Sequence, residues 1–167
     1  MKNVWTEVND AIPKYLSELA QMYSLKFVKV SSIETALVSK HFALTIFIDK
    51  FHVIINYVTR DDSGELIVYS IHNYFAEKFD ASDRKEIIPS EVLKEKLINQ
   101  LIVIHRGLIN KWSDVLRGEK DWIESFKKSV WYSIRRPNED ELRVLNNLIE
   151  KNSFFLSVFN ILKWTLK

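Results

Sequence analysis

The chain contains no cysteine, three glycines and three prolines in 167 residues. Without cysteine, thiol catalysis, disulfides and thiolate metal sites are excluded. With so few glycines there is little scope for a phosphate-cradling loop, and no GxGxxG, Walker, GxSxG or kinase-type fingerprint occurs. No HExxH or helically spaced histidine pair is found among His41, His52, His72 and His105. No stretch approaches the roughly 20 apolar residues of a membrane span, and Glu7 and Asp10 stand where a secretory signal would be apolar. A cytoplasmic location is the expectation. One-sided charge is also missing: the formal net charge is +2 with both signs mixed, so no basic tract or acidic tail drives polyelectrolyte binding.

What the chain does have is apolar and aromatic residues, 47% and 13% of the total. The strongest pattern runs from Ser90 to Trp122. Ser90, with Pro89 outside it and Glu91 after it, has the character of an N-cap. Leu93, Leu97, Leu101, Ile104, Leu108 and Trp112 follow at spacings of three and four, with Ile98, Ile102, His105 and Ile109 as a second stripe. So wide an apolar face predicts a helix largely surrounded by protein. Gly107 inside it permits close approach of another element, and Gly118 reads as a left-handed C′ residue.

Upstream, residues 3–23 have helical spacing interrupted at Pro13. Either the helix is kinked there or a turn precedes a helix capped by Asp10, and the second reading is preferred. Between Lys26 and Ser70 the period becomes that of strands. Runs around Phe27–Val30, Thr35–Ser39, Phe42–Ile48, Phe51–Thr59 and Glu65–Tyr69 have short connections, including the hairpin loop Asp61-Asp62-Ser63-Gly64. Short connections require antiparallel pairing. Apolar residues on both parities of the two longest runs predict strands covered on part of each face. Ser70 is placed as the cap of a short helix. A further helix is expected from about 120 to 133, and another begins at Asn138 with Glu141 as its capping-box partner. Leu142, Leu145, Leu148 and Ile149 are assigned to the inner face of that last helix. The apolar run Phe154–Trp164 is expected to pack on the core or, alternatively, to dimerise.

The chain is therefore expected to be one α+β domain of residues 1–167. It has an N-terminal helix, an antiparallel meander of four or five strands, and a helical C-terminal half packed on the sheet. The sheet-containing half is 1–79 and the helical half 90–167.

Three functional readings are compatible with these residues. Abundant aromatics and the lack of a catalytic fingerprint favour a non-enzymatic protein-interaction module without cofactor or metal. Lys127, Lys128, Arg135 and Arg136 flank Trp131 and Tyr132, a combination able to hold phosphates and stack bases. An enzyme site built from His72, Asp83 and His105 is the third reading.

The segment from Trp112 to Trp122, with Leu116 and Gly118 between the tryptophans and Asp83-Arg84 upstream, resembles small uncharacterised bacterial proteins, some of them immunity proteins of toxin systems. The resemblance covers roughly residues 25–126. It implies a cytoplasmic role in binding a protein partner such as a toxin, with Trp112, Trp122, Asp83 and Arg84 as contact residues. The small positive net charge departs from the acidic surface of an inhibitor of basic nucleases.

Overall fold

A computed structural model describes residues 3–150. Its centre is a six-stranded antiparallel sheet in which the strands lie in sequence order. The strands are β1 (Lys26–Lys29), β2 (Glu34–Val38), β3 (Phe42–Asp49), β4 (His52–Arg60), β5 (Leu66–Tyr69) and β6 (Ile134–Arg135). The first five form the expected meander. The sixth was not foreseen: two residues of the segment 134–135 pair with Val68 and Tyr69 and close the sheet's far edge. A strand of two residues carries no readable alternation, which is why the sequence pattern shows only a break there.

The helices are α1 (Val4–Tyr15), α2 (Ser17–Met22), α3 (His72–Ala76), α4 (Leu93–Lys111), α5 (Ser113–Leu116), α6 (Trp122–Lys127) and α7 (Glu139–Leu145). The α+β expectation holds. Among the described residues no helix is long and apolar enough to cross a membrane. The expectations for the apolar run 154–164, including dimerisation, lie outside the described residues.

Several boundaries differ for local reasons. Asp10 does not cap a helix. The cap is Asn3, whose side chain accepts from the Thr6 amide at 2.9 Å, and Asp10 sits mid-helix in an ion pair with Lys29. Pro13 is accommodated in the last turn of α1, and the chain leaves that helix at Leu16. Ser90 holds the Val92 amide at 3.0 Å in a turn of its own, so α4 starts later, its first bond running from Lys96 to the Val92 carbonyl. Ser70 pairs its amide with the Ser133 carbonyl, and Ile71 takes the cap position of α3. The helix expected to reach 133 ends at Lys127. The long central run is interrupted at Trp112, whose φ of −133° separates α4 from α5.

Gly118 has φ +84° and accomplishes the expected stop. The Glu119 amide bonds the Asp114 carbonyl and the Gly118 amide bonds that of Val115, the paired bonds of a Schellman ending. Gly107 also behaves as anticipated. A Cβ there would lie 2.2 Å from the Phe79 ring, so the missing side chain lets that ring rest on the helix.

Two cores flank the sheet. The larger lies on the inner face, where Leu37, Leu44, Ile46, Ile55 and Tyr57 meet α1 through Val8 and Ile12 and α4 through Leu97, Leu101, Ile104 and Leu108. The central helix is less enclosed than its two stripes suggest. The first stripe is buried from Leu97 to Trp112, whereas Leu93, Ile98, Ile102, His105 and Ile109 are half-buried. The smaller core lies on the outer face, where Ala36, Val38, Ala43, Val58 and Val68 meet Leu145 and Ile149. Leu142 and Leu148, assigned to the inner face of the last helix, are exposed instead. That helix is only seven residues long and presents a stripe one residue wide to the sheet.

Candidate functional site

Trp112 and Trp122 are 2% and 5% exposed, which corrects their assignment to a contact surface. Trp112 stacks on Phe75 with ring centroids 4.1 Å apart and donates from Nε1 to the Phe75 carbonyl at 3.2 Å. Trp122 meets Tyr57 edge-on at 5.1 Å. Both belong to an aromatic cluster with Tyr69, Tyr74 and Phe126 that anchors the helix corner. Such rings sit inside because each removes a large apolar area from water.

Asp83 and Arg84 fall in the loop after α3 and organise it. Asp83 is fully buried, accepting from the Asp80 amide at 3.0 Å and from Asn110 Nδ2 at 2.8 Å. Arg84 donates to the carbonyls of Phe79 and Asp80. Asp80 is held by Lys111 at 2.6 Å, and this bond, together with that from Ser82, keeps its carboxyl far below the usual range.

The trio His72, Asp83 and His105 does not converge into a reaction centre. His105 faces Glu18 of α2 at 3.7 Å, and burial depresses its pKa. His72 lines a separate cavity with Val103 and Ile104. His41 and His52 stand at opposite ends of the β3–β4 hairpin. His52 pairs with Asp49 at the turn, and His41 precedes the Phe42–Thr59 pair at the far end. Among the described residues no cluster of three or more potential metal ligands occurs.

The basic residues are largely committed to carboxylates. Lys127 holds Glu124 at 2.7 Å, Arg135 holds Glu141 at 2.6 Å, and Arg136 lies 3.6 Å from Asp61. Lys128 makes no ion pair among the described residues. Phosphate binding by this group would have to compete with three existing pairs.

The cluster around Arg135 was not legible as a site. On the outer face of the sheet, Glu34 is 3% exposed and Glu141 0%. Arg135 grips both oxygens of Glu141, at 2.6 and 2.7 Å, in a bidentate pair. Glu141 also accepts from the Asn138 amide at 2.8 Å, while Asn138 accepts from the Glu141 amide at 2.8 Å, so the expected capping box is formed. Glu34 is placed beside this pair at the start of β2. Burial and the Glu141 charge push its pKa up to about 7, against the opposing pull of the Thr45 hydroxyl and Arg135. Beside the cluster an open cleft of about 460 Å³ is lined by Phe47, Ile54, Asn56 and Arg136. Glu34 and Glu141 are over a hundred residues apart, and only the strand register and the return of the chain at β6 unite them.

Just before this cluster the chain runs along the sheet edge with its apolar side chains outward. Val130 is 90% exposed, Trp131 37%, Tyr132 42% and Ile134 43%. The segment is nonetheless held in place. Trp131 Nε1 donates to Glu77 at 2.5 Å, the Tyr132 ring meets Phe126 at 5.5 Å, and Ser133 accepts from the Ser70 amide at 3.0 Å. Trp131 and Tyr132 are the two aromatics that the sequence offers as base-stacking residues. The sequence alone does not show that they stand with exposed Val130 and Ile134 on a fixed edge.

Comparison with known protein families, with characterised proteins and with solved structures finds no match.

Proposed function

We propose that the chain is a non-enzymatic protein-interaction module of the immunity type, acting in the bacterial cytoplasm, and that it meets its partner through the sheet edge at residues 130–136. The observation that carries this reading is the exposure of Val130, Trp131, Tyr132 and Ile134 within five residues. Large apolar side chains crowded on a surface mark contact sites, and tryptophan and tyrosine are enriched among binding anchors.

The edge is also rigid. The bonds to Glu77 and Ser70 and the contact with Phe126 fix it before binding, which lowers the ordering cost of association. The Arg135–Glu141–Asn138 cluster secures it from below. Lys128, which makes no ion pair among the described residues, adjoins the apolar residues, so the complementary surface is an apolar pocket with an acidic group at its margin. A protein toxin is the partner class suggested by the resemblance.

The test is site-specific photocrosslinking in the native cell. A photoreactive residue at Val130 should capture one protein in stoichiometric yield, whereas one at Ile88, which is also exposed, should not. Trp131→Ala combined with Ile134→Glu should abolish capture from position 130 while leaving the thermal midpoint within a few degrees of wild type. Capture of the same protein from both positions, or of none from position 130, overturns the assignment.

A further inference from the structure

A second region has the attributes of a small-molecule site and is independent of the sheet edge. Between α3, the loop that follows it and α4 lies a cavity of about 360 Å³. Its apolar walls include Phe79, Ile87, Val103 and Ile104, and its polar lining includes His72 and Arg84. The wall built by Phe79 depends on Gly107, because only a residue without Cβ lets that ring lie against the helix. The amides lining the same space are already engaged. Gln100 accepts from the Val53 amide at 2.9 Å and donates to the Phe51 carbonyl at 2.8 Å, and Asn99 donates to the Ile88 carbonyl at 2.9 Å. They hold the walls in place.

The remaining polar capacity is of one kind. Arg84 directs Nη1 to two carbonyls, and among the described residues it has no ion pair. The carboxylates near it in sequence are occupied elsewhere, Asp80 by Lys111, Asp83 by Asn110 and Glu86 by Lys85. His72 Nδ1 is buried without a hydrogen-bond partner. Burial lowers the pKa of His72, and its proximity to His52 lowers it further, so no neighbouring carboxylate offsets the burial. An arginine with no carboxylate partner and an imidazole nitrogen with no hydrogen-bond partner, beside an open apolar cleft, call for a ligand that carries negative charge.

We propose that this cavity binds a small organic carboxylate with a compact apolar body. The carboxylate pairs with the Arg84 guanidinium and accepts from His72, and the body packs between Phe79, Val103 and Ile104. A branched alkyl chain or a single aromatic ring suits the walls.

Phenylacetate is the probe, with benzyl alcohol as its neutral counterpart and phenethylamine as the cation, each titrated into the full-length protein labelled with nitrogen-15. Phenylacetate should shift the amide resonances of Ala76, Val103 and Ile104 in a saturable manner. Benzyl alcohol should bind about tenfold more weakly, and phenethylamine not measurably, because a charge-assisted bidentate pair is lost. Arg84→Gln should bring phenylacetate down to the affinity of benzyl alcohol. Val103→Phe should block both, and Ala76→Leu, on the opposite wall, serves the same purpose if the first variant fails to fold. Absence of saturable shifts, equal affinity for acid and alcohol, or unchanged binding by Arg84→Gln would each overturn the proposal.

Discussion

The inner face of the sheet, beneath α1 and α4, is buried by carbon. Leu44, Ile46, Ile55 and Tyr57 fill it with little polar chemistry, and stacked rings such as Phe42 on Tyr57 and Phe75 on Trp112 thicken it. The outer face, beneath α7, has a smaller core and mixes it with the buried Glu34, Thr45, Asn56 and Arg60. Apolar burial is non-directional, so the inner face requires volume and little else. A buried polar group must find a partner of matching geometry, so the outer face specifies where α7 and the edge strand sit. Arg60 illustrates this. It donates to the carbonyls of Ile149 and Asn146 past the end of α7 and to Gly64 in the hairpin loop. One side chain thereby joins three stretches of chain.

The contrast can be broken most directly by removing one anchor from each face. Trp112→Ala should cost about 3–5 kcal/mol, as for other buried large aromatics, read from urea denaturation. Arg60→Ala should cost about 2–4 kcal/mol, because several buried carbonyls lose their donor together. Arg60→Met, which keeps the volume, should recover little of that loss. If it recovers most of it, the outer face is held by packing after all and the distinction between the faces fails.

The next effect depends on pH. The folded-state pKa of Glu34 is raised from 4.5 to about 7, so the native chain holds this proton more firmly than the unfolded chain does. Its stabilising contribution is therefore complete below about 4.5 and is lost as pH rises through about 7. Glu34→Gln cannot ionise. Relative to the wild type it should gain on the order of 1–3 kcal/mol of stability between pH 4.5 and 8. A difference independent of pH would show that burial and the Glu141 charge do not hold Glu34 protonated in the folded chain.

The smallest effect belongs to the inner face. The Tyr57 hydroxyl is buried without a hydrogen-bond partner among the described residues, and burial raises its pKa. Tyr57→Phe should change stability by less than about 0.5 kcal/mol or increase it, since no bond is lost and an unsatisfied group is removed. A loss well above that, measured by the same denaturation, would mean that the inner face uses this hydroxyl.

The meander was legible because strands announce themselves by a period of two and tight turns by their chemistry. The loop Asp61–Gly64 formed as expected, with Asp61 accepting from Ser63 and Glu65 and Gly64 at φ +84°. Gly118 and the Asn138–Glu141 box were legible for the same reason, each being a signal contained within a few residues. The helix starts at Ser90 and Asp10 were misplaced because competing local bonds and a stronger cap upstream decided them. The contact residues were misread at the tryptophans. A tryptophan reads the same whether it is an anchor for a partner or for the core, and only the packing of Phe75 against Trp112 settles which it is.

From its sequence alone this chain was bound to be an α+β protein with an antiparallel meander, a long amphipathic helix stopped at a glycine, and no thiol chemistry. Those properties depend on periodicity, on backbone preferences within a few residues and on which atoms are present at all. The sixth strand, the meeting of Glu34 with Glu141 and Arg135, the outward edge at Trp131 and the cavity beside Arg84 were decided only by the tertiary structure. Each joins residues distant along the chain, and such a meeting depends on register and packing geometry, which no local pattern encodes.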